Sequence, residues 1–173
     1  MDQDHPQLLP DPYPAPKVLG ENDCYAKLLL HDYAGISGEL TAISQYIYHY
    51  LTLYCSHPEV ARTARMIAIN EMHHLELLGK TIQLLGTPPV ICCANRQGVQ
   101  FWDARFVYYG NDLYDQLTAN MKQEMDALRN YRNHQRDIHD PFIRELLDRI
   151  ILDEEHHLRL FSQYRDELCR KAY

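Results

Sequence analysis

Glu39, Glu71, His74, Glu124, Glu154 and His157 stand at positions of the 173-residue chain where helical periodicity calls for apolar core residues. Twice the glutamate and histidine are three residues apart, as Glu71-x-x-His74 and Glu154-x-x-His157. Positions i and i+3 share a helix face, so each pair can reach one metal region. One glutamate from each of two further helices would complete a paired site. A lone carboxylate in a core is costly, and four together neutralise or destabilise the fold unless cations compensate. Two divalent ions balance four carboxylates in formal charge. Carboxylate and imidazole donors suit iron and manganese, and the set contains no cysteine that would mark a soft site. The sequence therefore predicts a two-metal centre, iron or manganese, with these six residues as ligands.

Four helices must position them. Leu28, Asp32, Gly35, Glu39, Ala42, Tyr46 and Leu53 lie near one face, with His49 and Tyr50 covering the gap, which predicts helix A over 24–54. Helix B is predicted over 59–85, with Ala64, Ile67, Glu71, His74, Leu78 and Leu85 in phase. Pro58 suits its first turn, and Gly86 with the Thr-Pro-Pro run ends it. Helix C, 112–136, carries Leu113, Leu117, Met121, Glu124, Leu128 and Tyr131 on its inner side. Helix D, 141–168, opens at Asp140-Pro141 and presents Ile143, Leu147, Ile150, Glu154, His157, Phe161 and Tyr164. Residues 86–111 have no sustained helical period, and strand-like alternation persists nowhere. Two short hairpin loops and one long B–C connection predict an all-α four-helix bundle with a single crossover. Residues 1–22 form a proline-rich N-terminal arm ahead of a bundle domain over 23–173. The prolines bias the arm to extended structure, and either packing on a neighbouring subunit or mobility is compatible with its composition.

The halves of the chain echo each other. Helix B reads Glu-Met-His-His-Leu-Glu-Leu-Leu from 71 and helix D reads Glu-Glu-His-His-Leu-Arg-Leu-Phe from 154. Glu39 precedes Glu71 by 32 residues and Glu124 precedes Glu154 by 30, so A–B and C–D read as two copies of one helical hairpin. A metal-free bundle with fortuitous polar core residues is the competing explanation, and six in-phase positions in repeated order argue against it. His73 and His156 point about 100° away from the ligands and read as surface groups or as groups just behind the ligands. His31, His49, His134 and His139 read as ordinary, and Glu76, Glu145, Glu155 and Glu167 as solvated charges.

A net charge of −7 disfavours nucleic acid or an anionic bilayer as partner. The five cysteines are scattered with no C-x-x-C pair, which argues against a disulfide framework, a zinc ribbon and a rubredoxin-type iron site. With no signal-peptide pattern and no membrane-length apolar run, a cytoplasmic protein is expected.

On the four in-phase glutamates and two E-x-x-H motifs, residues 23–168 resemble the ferritin-like family of di-metal carboxylate proteins, and within it the rubrerythrin diiron domain and manganese catalase. The resemblance implies that Glu39 and His74 are terminal ligands of one metal and Glu124 and His157 of the other, with Glu71 and Glu154 bridging and catalytic. It implies that Tyr46 and Tyr131, each seven residues after a terminal glutamate, act beside the metals, and that Asn70 and Asp153 support the histidines. Rubrerythrin's additional helix-C glutamate corresponds to Ala127 here, so its ligand switch is not implied. The expected activity is that of a peroxidase or catalase on hydrogen peroxide or dioxygen, in a homo-oligomer, with an external electron donor where one is needed. Ferroxidase and iron storage is the alternative, and a structural or coat protein with a retained metal site the third.

Overall fold

A computed structural model describes residues 9–95 and 98–171. Residues 1–8 of the expected arm and the last two residues of the expected bundle domain lie outside them. The helices are α1 (Asp23–Ala34), α2 (Glu39–Leu53), α3 (Pro58–Leu84), α4 (Leu113–Asp137) and α5 (Pro141–Lys171). The chain has the predicted ferritin-like bundle, in which α2 packs chiefly on α3 and α4 on α5.

The predicted continuous helix A is instead two helices, α1 and α2, interrupted at Gly35–Gly38. The cause is steric. A Cβ at Gly35 would lie 2.4 Å from the His31 carbonyl oxygen, and one at Gly38 would lie 2.5 Å from that of Asp32. The backbone folds tightly onto itself here, with Gly35 N–H donating to His31 O at 2.9 Å and Gly38 N–H to Gly35 O at 3.0 Å. Thr41 Oγ1 fastens the next turn by donating to the Gly35 carbonyl at 2.9 Å. Glu39 consequently stands at the first position of α2, where the positive end of the helix dipole favours a carboxylate.

The other helix boundaries follow their sequence signals. Asp140 caps α5, its Oδ1 accepting from Phe142 N–H at 3.0 Å, with Pro141 at the first helical position. Beyond α3, Gly86 takes a positive φ of 85°. Its N–H bonds the Gln83 carbonyl while Thr87 N–H bonds that of Ile82, the paired closure of a glycine-terminated helix.

The crossover holds structure that the sequence did not announce. Strands β1 (Cys92–Asn95) and β2 (Gly98–Phe101) pair antiparallel with Cys92 opposite Phe101, and a 3-10 turn covers Ala104–Phe106. Four-residue strands are too short for alternation to stand out. Side chains of α2 hold the segment down: Trp102 Nε1 donates to Thr41 Oγ1 at 3.0 Å, and Tyr108 N–H donates to Gln45 Oε1 at 3.0 Å. His49, read as ordinary, is fully buried with Nδ1 2.8 Å from Asn120 Oδ1 and Nε2 2.9 Å from the Tyr108 carbonyl.

Two apolar clusters fill the interior. One joins α1 to the C-terminal half of α3 and the adjoining parts of α4 and α5, around Leu29, Leu78, Ile82, Ile143 and Leu147. The other joins α2 to the N-terminal half of α3, the start of α4 and the C-terminal half of α5, around Tyr46, Ala64, Ile67, Leu117 and Phe161. The predicted ligands form a polar layer in the same interior. Among the described residues no helix is long and apolar enough to cross a membrane.

Candidate metal centre

The structure brings all six predicted ligands together, each at most 3% exposed. His74 Nδ1 lies 2.7 Å from Glu71 Oε2, 3.1 Å from Glu154 Oε1 and 3.9 Å from Glu39 Oε2. His157 Nδ1 lies 2.9 Å from Glu71 Oε1, 3.9 Å from Glu124 Oε2 and 4.0 Å from Glu154 Oε2. Glu71 and Glu154 thus each offer one oxygen to either histidine, whereas Glu39 stands by His74 and Glu124 by His157. The donors divide into two groups, Glu39–Glu71–His74–Glu154 and Glu71–Glu124–Glu154–His157, each with its ligand atoms within 4.8 Å of one another.

Several of these atoms lack hydrogen-bond partners although buried: both Glu71 oxygens, Glu154 Oε1, and Nδ1 of His74 and His157. Nitrogen and oxygen approach to 2.7–3.1 Å without the alignment of a hydrogen bond. A buried polar group left this way costs about 1–3 kcal/mol. Donors converging on shared points instead of on each other are what two cations between them require, so the residues present fit a metal pair.

The charge state of the metal-free protein reflects the same crowding. Burial, then the Glu71 charge, pushes the Glu39 carboxyl well above the usual range, and burial with Glu154 does so for Glu124. Burial together with Glu71 and Glu39 pushes Glu154 up to about 8. Burial also works to raise Glu71, but His157 and His74 outweigh it and bring that carboxyl down to about 2. For both histidines burial opposes protonation and the surrounding carboxylates overcome it, raising each above the ordinary imidazole range.

Around the ligands the hairpins exchange partners. Tyr46 of α2 donates its hydroxyl to Glu124 Oε1 at 2.6 Å, and Tyr131 of α4 donates to Glu39 Oε1. Burial and the facing carboxylate raise both phenols well above 10, so each remains a protonated donor. Asn70 Nδ2 is 3.1 Å from His74 Nε2 and 3.3 Å from His157 Nε2, and Asp153 Oδ2 is 3.1 Å from His74 Nε2. Burial works to raise Asp153, but His74, Arg149 and Tyr13 hold it well below the usual carboxylate range.

Tyr13 is the residue that sequence reasoning missed. The described part of the arm, from residue 9, lies against its own bundle and places the Tyr13 hydroxyl 3.1 Å from His74 Nε2 and 3.2 Å from Asn70 Oδ1, donating also to Asp153. Burial drives this phenol to about 12 despite the opposing pull of His74. Arg149 secures the segment by stacking 4.2 Å above the Tyr13 ring, donating Nε–H to the Asp11 carbonyl at 3.0 Å and pairing with Asp153 Oδ2 at 2.6 Å. The Pro12 and Pro14 flanks of Tyr13 were the available signal. Of the remaining sequence readings, His73 and Glu76 are exposed, His156 is half-buried, and Ala127 is a buried core residue beside Leu128.

A four-helix bundle presenting paired carboxylate and imidazole groups from its centre defines the ferritin-like di-metal class of fold. A family model described as Rubrerythrin matches residues 33–164, and the chain belongs to that family. A probable manganese catalase from Clostridium acetobutylicum is 27% identical over 168 aligned residues, covering 85% of this chain and 72% of the relative. A manganese catalase from Anabaena superposes with a TM-score of 0.83 at 24% identity, covering 93% of this chain and 80% of that one. Rhodobacter capsulatus bacterioferritin gives 0.74 at 23% identity, covering 88% and 89%. At these identities the two solved structures speak for the fold.

Proposed function

We propose that the chain is a di-metal oxidoreductase that disproportionates hydrogen peroxide in the manner of a manganese catalase. The observation that carries this reading is the sharing of Glu71 and Glu154 between two otherwise separate donor groups. When bound there, a pair of redox-active manganese or iron ions supplies the two-electron exchange by which two peroxides become two waters and dioxygen. Glu39 and His74 would hold one ion, Glu124 and His157 the other, and Glu71 and Glu154 both.

The surrounding residues keep the donors in place. Tyr131 and Tyr46 hold Glu39 and Glu124 by hydrogen bonds from the opposite hairpin, and their raised phenols keep those protons throughout the neutral range. Asp153 and Asn70 orient the outer nitrogens of the histidines, turning Nδ1 inward. Tyr13 and Arg149 cover the outer side of His74. Self-association and a cytoplasmic location belong to the same proposal.

The test is oxygen evolution from peroxide by protein reconstituted with Mn(II) or Fe(II), with and without a reductant. One dioxygen per two peroxides without reductant is expected. Peroxide consumption that requires a reductant and releases no oxygen would replace catalase by peroxidase. Rapid Fe(II) oxidation with mineral retained in a shell of high native mass would favour the iron-storage alternative.

A further inference from the structure

We propose that His31, Asp32 and His134 form a separate mononuclear site for a divalent transition metal of the zinc or ferrous class. A ring nitrogen of each histidine and an Asp32 oxygen lie within 4.8 Å of one another. His134 Nδ1 is 2.7 Å from Asp32 Oδ2, and the imidazoles meet edge to face with centroids 5.8 Å apart. None of the three belongs to the carboxylate-rich centre.

An ion pair between Asp32 and His134 accounts for only part of this arrangement. Asp32 is 2% exposed, and its second oxygen, Oδ1, has no hydrogen-bond partner. His31 Nδ1 is also buried without one. A buried polar atom left without a partner is unfavourable, and a cation accepting lone pairs from both groups would relieve that cost. Burial lowers the His31 imidazole below its ordinary value, leaving a neutral ring with a free lone pair, whereas at His134 burial is outweighed by Asp32, which raises an imidazole whose proton the incoming cation would displace.

The backbone favours a cation as well. His31 lies in the last turn of α1 and His134 in the last turn of α4, so two helix C-termini, each the negative end of its dipole, converge on the site. The turn of α1 ends there because Gly35 admits the close return of the chain onto the His31 carbonyl. Two imidazoles and one carboxylate leave coordination positions for water, the pattern of three-ligand zinc and of ferrous two-histidine sites. The histidines are half-buried and Asp32 is enclosed, so an ion reaches the carboxylate past the imidazoles.

Zinc binding to the full-length metal-free protein tests this by equilibrium dialysis and metal analysis. Wild type should take up one more ion per chain than H31Q, in which a half-buried ligand is replaced without disturbing the Asp32–His134 pair. An E39Q/E124Q protein, weakened at the dinuclear centre, should retain the ion that H31Q loses, so failure of one site is distinguishable from failure of the other. Crystals soaked in zinc should show an anomalous peak between His31, Asp32 and His134. Equal stoichiometry in wild type and H31Q, or no peak among these three residues, overturns the proposal.

Discussion

Stripping the metals and raising the pH from 5 to 8 should destabilise this protein progressively, and the sign follows from the buried carboxylates. Glu154 rises from 4.5 in an ordinary environment to about 8 in the folded, metal-free chain. An acid raised in the fold holds its proton more tightly there than in the unfolded chain, so the stabilising difference is present at low pH and is lost as pH rises toward the folded value. At about 1.4 kcal/mol per pH unit, Glu154 alone removes on the order of 5 kcal/mol between pH 4.5 and 8. Glu39 and Glu124 are raised too and act in the same direction. His74 and His157, raised above 6.5, contribute stability at low pH that also disappears as pH rises through their folded values. Glu71, lowered to about 2, loses its contribution only in stronger acid and is constant across this window. For a chain of this size each kcal/mol moves Tm by about 2–4 °C, so the metal-free protein should lose on the order of 10–20 °C from Glu154 alone. Bound cations replace the protons, and metal affinity rises with pH, so the loaded protein should hold or gain stability over the same range. Calorimetry at half-unit pH intervals, on both forms and on Glu154→Gln, measures the effect. The variant cannot ionise, and its metal-free form should be more stable than wild type at pH 8 with a shallower slope. A metal-free Tm that is flat or rising from pH 5 to 8 refutes the reasoning.

Tyr46→Phe and Tyr131→Phe each delete one hydrogen bond to a terminal carboxylate, and each should weaken metal binding by roughly 10–100-fold, read by competition with a chromophoric chelator. Similar losses at the two positions would reflect the exchange of partners between hairpins, and unchanged affinity in both would contradict the assigned roles. Tyr13→Phe removes contacts to His74, Asn70 and Asp153, and should lower stability by about 1–3 kcal/mol in urea melts and accelerate chelator-driven metal loss. Gly38→Ala places a Cβ 2.5 Å from the Asp32 carbonyl oxygen, so it should cost about 1–3 kcal/mol by overpacking; a neutral substitution there would contradict the tight turn between α1 and α2.

The ligands were legible because a charged residue at a core position is informative, and six of them repeated in order leave few explanations. The ends of α3 and α5 were legible through Gly86 and Asp140-Pro141, whose backbone roles are local. The break between α1 and α2 was not. Gly35 falls in phase with Asp32 and Glu39, and the close approach that only glycine permits is a property of the folded backbone. The hairpin in the crossover was hidden by strands of four residues. Tyr13 was beyond sequence reasoning for a different reason. It meets Asp153 across 140 residues, and one tyrosine among 13 carries no mark of its partner. The cluster of His31, Asp32 and His134 was passed over because its histidines lie more than a hundred residues apart, on helices whose C-terminal turns meet only in the fold.

Anomalous scattering at the manganese and iron edges, on crystals of protein purified without added metal, tests the paired centre most directly. Two peaks are expected in the bundle core of each chain, one held by Glu39 and His74 and the other by Glu124 and His157, with Glu71 and Glu154 contacting both. A single core peak, or none in protein that analyses for metal, would contradict the paired centre.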